Sequence, residues 1–377
     1  MKTAIIFRHE LFRVSEPFIA QQAGQLQRFR PLYLCRERVG DRPESSEVLA
    51  LQDLPDQRGL VAKSWQILTR DPRPYMRLLG DRVPSLIHAH FGVEGVHALR
   101  LSRRLDVPLI TTFHGFDASV SGRGLVRSGS PSWISYLMLR HELAKHGSLF
   151  LCVSEFIRRR VLALGFPEER TRVHHIGTDT LAVQSRSLED ERPIVLHVAR
   201  LVEKKGTEYL IRAFALVADR TPKFTMIIIG DGPLRSKLQS LADALGLGDQ
   251  VRFMGAQPHA KVIAWMRRSA CLVLPSVTAR NGDAEGLPVV FLEAAALGLP
   301  LIGTFHGGIP EVVINGETGF LVAERDVTVL ARRLGELMSD KSGRRRMGRA
   351  ARVLAESRFD IRRQTEKLEA FYDDVLK

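Results

Sequence analysis

The apolar positions of the chain form short uninterrupted runs that alternate with longer amphipathic stretches. In the first half, the runs predict six strands, at 3–7, 31–35, 86–89, 108–113, 149–153 and 172–176. Between them, apolar residues recur at helical spacing and predict helices that include 18–28, 93–105, 133–146 and 155–164. Short apolar strands joined by helices are typical of a parallel sheet that is covered on both faces.

The same alternation restarts after a polar stretch at 183–192, which we interpret as a linker between domains. The predicted strands there are 194–198, 224–229, 251–254, 271–274, 299–303 and 320–322, and the predicted helices are 207–218, 233–245, 259–268, 288–297 and 327–338. The tail from 343 to 377 predicts two helices with a break near Phe359 and Asp360. The chain is therefore predicted to be α/β, with two tandem Rossmann-like doubly wound domains at 1–182 and 193–359. Ligands are expected in a deep cleft between them, beyond the carboxyl ends of the strands.

Composition narrows the class of protein. The 377 residues suffice for two domains, and no apolar stretch is long enough to span a membrane. The apolar run at 3–7 is too short for a signal peptide. Cys35, Cys152 and Cys271 have no metal or redox spacing, so we expect buried free thiols and a cytoplasmic location.

A formal net charge of +13 favours an anionic partner, which includes nucleic acid, an acidic membrane surface and phosphorylated substrates. A merely solvated basic surface explains the charge equally well. The arginine triplets at 158–160 and 344–346 lack interleaved aromatic residues, which disfavours single-stranded nucleic acid.

The stretch 281–300 carries the strongest candidate chemistry. Gly286 allows close approach of a ligand, and Pro288 suits the first position of a helix whose free N–H groups favour an anion. Glu285 and Glu293 flank that helix start and could bind the hydroxyl groups of a sugar diphosphate. The same residues also fit an ordinary helix with two solvated glutamates.

Three further segments follow predicted strands. Arg200 and Lys205 come after the first strand of the second half, where two cations could hold a diphosphate. Gly230 and Gly232 form a tight Gly-Asp-Gly-Pro turn without a dinucleotide fingerprint. His114 ends a strand in the first half and is expected to face the cleft.

Other histidines have weaker functional signals. His88 and His90 share one face of a strand, but a metal site needs a third ligand, so a structural role is preferred for them and for the pair at 174–175. The segment 306–311 (HGGIPE) could supply a second cluster of backbone N–H groups near the same rim.

Two absences in the sequence limit the chemistry. No two aspartates are separated by one residue, so an Asp-x-Asp metal clamp is missing, and no P-loop or zinc spacing occurs. A helical separation of Glu285 and Glu293 would be about 11–12 Å, which is too long for a glycosidase carboxyl pair.

Together these motifs resemble the retaining glycosyltransferases of family 4, which have the GT-B fold. The most specific match is EGLPVVFLE at 285–293, the E-x7-E element of that family. Thr-x-His-Gly, Arg…Lys-Lys-Gly, Gly-Asp-Gly-Pro and E-x7-E also occur in the order found in the family. The resemblance covers nearly the whole chain.

The resemblance implies a role for each motif. Arg200 and Lys205 would bind the donor diphosphate and stabilise the leaving nucleotide, Glu293 would hold the ribose, and Glu285 and His114 would lie beside the donor sugar. No metal or other cofactor is expected, and a C-terminal helix, 360–377, is expected to complete the first, acceptor-binding domain. The predicted donor-binding residues are Gly230, Gly232, Gly286, Leu287, Pro288, Val289 and Glu293.

One segment departs from the common family pattern. Many members carry a Gly-Gly loop after the first strand, whereas this chain has Ser15-Glu16-Pro17-Phe18-Ile19, which resembles the variant of exopolysaccharide and colanic-acid-type enzymes. The variant and the basic first half suggest a polyprenyl-diphosphate-linked or oligosaccharide acceptor and a peripheral location on the inner membrane face.

The sequence is also compatible with two other functions. A nucleotide-sugar 2-epimerase shares the fold and would form an epimerised product without any acceptor. A basic nucleic-acid-binding protein would bind nucleic acid tightly in a salt-sensitive way and would ignore nucleotide sugars.

Overall fold

Parallel strands form the centre of each of two units in the computed structural model. The structure describes residues 1–13, 16–40, 46–55, 58–183, 185–187 and 189–377. Residues Met1–Gly177 and Ile361–Lys377 form the first unit, and Thr178–Asp360 form the second. Ser15 of the variant motif and positions 184 and 188 of the predicted linker lie outside the described residues.

The first unit contains a seven-stranded parallel sheet in the order β5-β3-β1-β6-β7-β8-β9, and β2 pairs separately with β4. Helix α15 (Ile361–Val375) belongs to this unit although the second unit separates it from the rest in sequence. The strands are β1 (Lys2–Phe7), β2 (Glu10–Leu11), β3 (Phe29–Cys35), β4 (Glu37–Arg38), β5 (Glu47–Ala50), β6 (Leu86–His90), β7 (Leu109–Phe113), β8 (Leu149–Cys152) and β9 (Thr171–Val173). The helices are α1 (Pro17–Ala23), α2 (Arg58–Thr69), α3 (Arg73–Leu79), α4 (Gly92–Leu105), α5 (Phe116–Ser119), α6 (Gly122–Arg127), α7 (Pro131–His146), α8 (Glu155–Ala163) and α15 (Ile361–Val375).

The second unit contains a six-stranded parallel sheet in the order β12-β11-β10-β13-β14-β15. The strands are β10 (Ile194–Val198), β11 (Thr225–Ile229), β12 (Val251–Phe253), β13 (Cys271–Leu274), β14 (Leu301–Thr304) and β15 (Gly319–Val322). The helices are α9 (Thr207–Ala218), α10 (Arg235–Ala244), α11 (His259–Arg268), α12 (Val289–Ala296), α13 (Val327–Ser339) and α14 (Lys341–Arg358). The predicted α/β class with two doubly wound parallel sheets is confirmed.

Some predicted elements differ from those observed. The helix predicted at 18–28 ends at Ala23, and the backbone N–H groups of Gln27 and Arg28 bond to a distant side chain instead of to helix carbonyls. The strand predicted at 172–176 ends at Val173. Residues 36–82, for which no element was predicted, contain β4, β5, α2 and α3. The three cysteines are buried free thiols, as predicted.

Buried polar contacts attach α15 to the first sheet. The Glu369 carboxylate accepts hydrogen bonds from the backbone N–H groups of Gln27 and Arg28, at 2.8 and 2.6 Å, just before β3. The Tyr372 hydroxyl lies 2.6 Å from His88 Nδ1 at the centre of the sheet. The final helix therefore completes the core of this unit. Within the described ranges, no helix is both long enough and apolar enough to cross a bilayer.

We expect Glu369→Ala to lower the free energy of unfolding of the first unit by about 1–3 kcal/mol, because it leaves buried backbone donors without an acceptor. Urea unfolding measures the effect. Glu366→Ala, at an exposed position of the same helix, is the matched control and should change stability by less than about 0.5 kcal/mol. Equal stabilities of the two variants would contradict this account of α15.

Candidate active site

The strand order fixes where ligands can bind in the second unit. From β10 the chain moves outward through β11 and β12, then returns to place β13 on the other side of β10. The two loops that diverge from β10 and β13 leave a crevice at the carboxyl ends of these strands, where ligands of open α/β sheets bind. Arg200 and Lys205 follow β10, and Glu285 follows β13, so the predicted residues meet at this switch point.

An ion pair joins the two loops. Lys205 Nζ lies 2.7 Å from Glu285 Oε1, and both side chains are largely buried. Burial alone would raise the pKa of Glu285, but the ammonium groups of Lys205 and Lys204 outweigh it and lower the pKa to about 2. Lys204 forms a parallel pair with Asp283, with 2.9 Å between Nζ and Oδ1. Glu285 is therefore a fixed, ionised acceptor of hydrogen bonds at the crevice.

His306 positions the Glu285 backbone from β14. The backbone N–H of Glu285 donates to His306 Nε2 at 3.1 Å, so this nitrogen is the acceptor and Nδ1 faces the Glu324 carboxylate at 2.7 Å. The Glu285 carbonyl accepts from the Gly308 N–H at 3.3 Å. The segment 306–311 was expected to offer N–H groups to a ligand. Instead the Gly308 and Ile309 N–H groups bond within the protein, and the His306 side chain supports Glu285.

Arg200 lies at the rim of the crevice. It lies two residues after the end of β10, and its side chain is exposed, whereas Lys205 lies deeper, at the end of a short 3-10 turn. Gly206 ends that turn at φ 64°, and a Cβ there would collide with the Pro275 carbonyl. Only glycine lets the β10 loop lie this close to the β13 loop. The loop thus carries one exposed cation, Arg200, and one largely buried cation, Lys205.

The Gly230-Asp231-Gly232 turn packs directly on the backbone after β10. A Cβ on Gly230 would meet the Ala199 carbonyl, and one on Gly232 would meet the backbone of Leu201. The Leu201 N–H donates to the Asp231 carbonyl at 2.9 Å. The two glycines are thus explained by packing of the turn beside Arg200.

The start of α12 differs slightly from the prediction. Pro288 was predicted as the first helical residue, but it is the N-cap, with ψ 104°, and the helix begins at Val289. Gly286, Leu287 and Pro288 are buried, and Val289 is half-buried. These residues line the approach to a helix N-terminus next to Glu285.

Glu293 has a partner that sequence reasoning missed. It is the fifth residue of α12, rather than two full turns into it, and its Oε1 lies 2.7 Å from His259 Nε2 at the start of α11. This hydrogen bond, together with the negative charge of Glu293, raises the pKa of His259. No local signal identified His259, because its partner is distant in sequence.

His114 lies at the carboxyl end of β7 in the first unit. Its Nε2 is 3.1 Å from His90 Nδ1, its backbone N–H donates to Asp117 Oδ1 at 3.1 Å, and Phe18 and Phe91 contact its ring. Burial lowers the pKa of His114 well below the ordinary value, so the ring is neutral. His88 and His90 are likewise buried, with their pKa values lowered by burial.

A charged cluster follows β1, where many family members would carry a Gly-Gly loop. Arg8 Nε lies 3.0 Å from Glu16 Oε2, and the same guanidinium contacts Glu94 and stacks on the Phe91 ring. His9 Nδ1 is 3.1 Å from Glu94 Oε1. Burial raises the pKa of Glu94. The switch point of this sheet, between β1 and β6, is therefore filled by paired charges.

The predicted site residues thus fall into two groups. Arg200, Lys205, Gly230, Gly232, Glu285, 286–289 and Glu293 belong to the second unit, and His114 belongs to the first. Across the part of the chain that the structure describes, no group of three or more His, Cys, Asp or Glu side chains could hold a metal ion.

Family models match both halves of the chain. The model described as Glycosyltransferase Family 4 matches residues 20–180, and the one described as Glycosyl transferases group 1 matches residues 180–354. The second range contains the whole crevice around Glu285.

The names of proteins with similar sequences are consistent with these family matches. A Salmonella typhimurium protein named as a colanic acid biosynthesis glycosyltransferase, WcaL, is 35% identical over 67% of this chain and 61% of its own. The Erwinia amylovora amylovoran biosynthesis glycosyltransferase AmsK is 30% identical over 72% of this chain and 65% of its own. The chain thus spans a little under two thirds of these relatives' length. The structure of Anabaena HepE with UDP and glucose has the same fold, with a TM-score of 0.78, 21% identity and coverage of 99% of this chain and 100% of that one.

The fold and the two family models together show that the chain is a GT-B glycosyltransferase. Within that class, the chain belongs to glycosyltransferase family 4, as its motifs indicated.

We expect the imidazole of His259 to titrate above the ordinary value of about 6.5, because Glu293 stabilises its charged form. In Glu293→Gln the pKa should fall towards that value. Histidine side-chain NMR over a pH series measures both titrations, and the exposed His141 serves as the internal control. An unchanged His259 titration in the variant would show that the two side chains do not pair in solution.

Proposed function

We propose that the protein is a retaining, metal-independent glycosyltransferase that moves a hexose from a UDP- or GDP-sugar to a lipid-linked or saccharide acceptor in cell-surface polysaccharide synthesis. The Lys205–Glu285 ion pair at the switch point of the group 1 region carries the proposal. It combines a buried cation for a phosphate with a fixed carboxylate for sugar hydroxyls. The names of the relatives support a role in polysaccharide synthesis.

Transfer from a nucleotide sugar develops negative charge on the departing diphosphate. Lys205 supplies a point charge from a largely buried position, and the exposed Arg200 can close on the same phosphate with bidentate geometry. The N-terminus of α12 adds free N–H groups. Fixed positive groups in a partly desolvated site stabilise the leaving group more strongly than water does.

The two glutamates have different electrostatic settings, which suits different roles. Glu285 is ionised and held at both its side chain and its backbone, so it can orient donor-sugar hydroxyls without moving. Glu293, on α12, accepts from His259 at 2.7 Å and retains a second oxygen for a ribose hydroxyl. His114 would contribute a neutral imidazole from the first unit.

In the proposed reaction, the acceptor hydroxyl attacks the anomeric carbon as the bond to the diphosphate breaks, and the leaving phosphate takes the hydroxyl proton. Both cations then neutralise the product diphosphate. Because Glu285 is already engaged by Lys205, the proposal assigns it to binding rather than to covalent attack. An acceptor on a polyprenyl diphosphate at the inner membrane face would suit the basic composition.

Calorimetric titration with UDP, GDP and their hexose conjugates tests the donor class. We expect one nucleotide to bind, with the same affinity in magnesium and in a chelator, since the proposal places phosphate charge on Lys205 and Arg200. Binding that requires a divalent metal would contradict the metal-independent part of the proposal. Conversion of the sugar to an epimer without acceptor would overturn the transferase assignment.

We expect Lys205→Ala to lower release of nucleotide from the bound sugar donor at least about tenfold, which corresponds to 1.4 kcal/mol of transition-state stabilisation. Lys205→Arg should recover part of the rate, since it restores the charge. Coupled detection of released UDP or GDP measures both.

Lys237→Met is the matched control, because Lys237 is exposed on α10 and pairs only loosely with Glu208, at 3.7 Å. It should keep the wild-type rate. Equal rates in Lys205→Ala and Lys237→Met would remove Lys205 from the site.

A further inference from the structure

Helix α2 presents apolar side chains to solvent along one continuous face. Leu60, Val61, Trp65 and Leu68 are 72, 65, 49 and 69% exposed. Their spacing of i, i+1, i+5 and i+8 places them on one side of the helix. Single exposed apolar residues are ordinary, but a contiguous group of four large ones marks a binding surface. We call these four residues the α2 face.

Buried polar contacts fix the orientation of this helix. Gln66 points inward with no exposed area, and its Oε1 accepts from Arg36 Nε at 2.7 Å. Arg36 also lies 3.0 Å from His97 Nδ1 on α4. Rotating α2 to bury its apolar face would break the bond between Gln66 and Arg36 and leave one donor of a buried guanidinium without its acceptor, which is costly. The outward apolar face is therefore built into the fold.

Neighbouring helices extend the apolar character. Helix α7 packs against α2 and exposes Ile134 and Met138, the latter by 67%. Helix α6 packs against α7 and exposes Val126. Exposed apolar side chains thus occur on all three of these packed helices.

Basic residues outnumber acidic ones around this surface. Helices α6 and α7 contain four Lys or Arg residues and one acidic residue, Glu142, whereas on α2 Lys63 is paired with Glu37 and Trp65 donates to Asp71. Arg123 and Arg127 are exposed on α6, and Arg100 reaches the end of α2, where it donates to the Thr69 carbonyl at 2.8 Å. An apolar face that contains Trp and Leu and has a basic margin matches the apolar interior and acidic headgroups of a lipid bilayer surface.

We propose that the α2 face and its basic margin dock this unit on an anionic membrane. The side chains of the α2 face enter the headgroup region, and the exposed arginines of α6 and α4 contact acidic lipids. The inference deepens the proposed function, because docking would bring the chain to a lipid-linked acceptor. Its test does not use the transfer reaction, so the two proposals can fail separately.

Co-sedimentation of the full chain with vesicles tests the surface directly. We expect binding to vesicles of phosphatidylcholine mixed with phosphatidylglycerol, weaker binding at high salt, and little binding to phosphatidylcholine alone. Leu60→Gln combined with Leu68→Gln should lower the partition coefficient about tenfold or more, since it removes apolar contact area. Arg123→Glu with Arg127→Glu should lower binding to the acidic vesicles specifically.

Matched controls come from the second unit. Leu216→Gln with Val353→Gln changes two side chains that are also exposed, by 57 and 63%, and should leave vesicle binding unchanged. Arg345→Glu with Arg349→Glu, at exposed positions of α14, is the control for charge. Thermal unfolding confirms that each variant is folded.

Trp65 provides a second readout in the same chain. With Trp133→Phe and Trp265→Phe, it is the sole remaining tryptophan, and its emission should shift to the blue and be quenched by brominated lipid in acidic vesicles. Absence of binding to acidic vesicles, or equal binding by the Leu60→Gln/Leu68→Gln variant, would overturn the proposal. Loss of self-association in that variant, with vesicle binding intact, would instead identify the α2 face as a contact between copies and would also overturn it.

Discussion

A buried carboxylate held by a lysine organises the candidate site of the second unit. Glu285 cannot remain ionised in its buried position without a compensating charge, and Lys205, which lies 80 positions earlier in the chain, supplies it at 2.7 Å. The pair ties the loop after β10 to the loop after β13. Gly206 permits the close approach, and His306 fixes the backbone of Glu285 from β14. Three strands thus converge on one ionised group.

The carboxyl ends of the two sheets have different electrostatic character. In the second unit, Glu285 balances the charge of Lys205, and the exposed Arg200 adds positive charge near a helix N-terminus. In the first unit, Arg8 is neutralised by Glu16 and Glu94, and His88, His90 and His114 are kept neutral by burial. A diphosphate would therefore find complementary charge in the second unit, whereas the histidines of the first unit offer neutral polar groups suited to hydroxyls.

Regular patterns were predictable from the sequence, and long-range partners were not. Strands β10 and β13 and helices α9 and α11 have the predicted bounds, because their apolar periodicity is strong and Gly or Pro flanks several of them. Helix α2 was not predicted, and its orientation could not be read from its apolar residues, because they face solvent while the polar side chain of Gln66 is buried. Glu285, Glu293 and Lys205 were singled out as residues that would contact a ligand. The pairing of Lys205 with Glu285, and that of His259 with Glu293, could not be predicted from the sequence. Both pairings depend on the strand order, which brings distant loops together.

We propose that a nucleoside diphosphate binds at the crevice around Glu285. Hydrogen exchange of the full chain, with and without saturating UDP or GDP, tests it most directly. With the nucleotide that binds, we expect slower amide exchange in three segments, 199–206, 230–234 and 284–293. Binding detected by calorimetry while exchange in all three segments stays unchanged would contradict it.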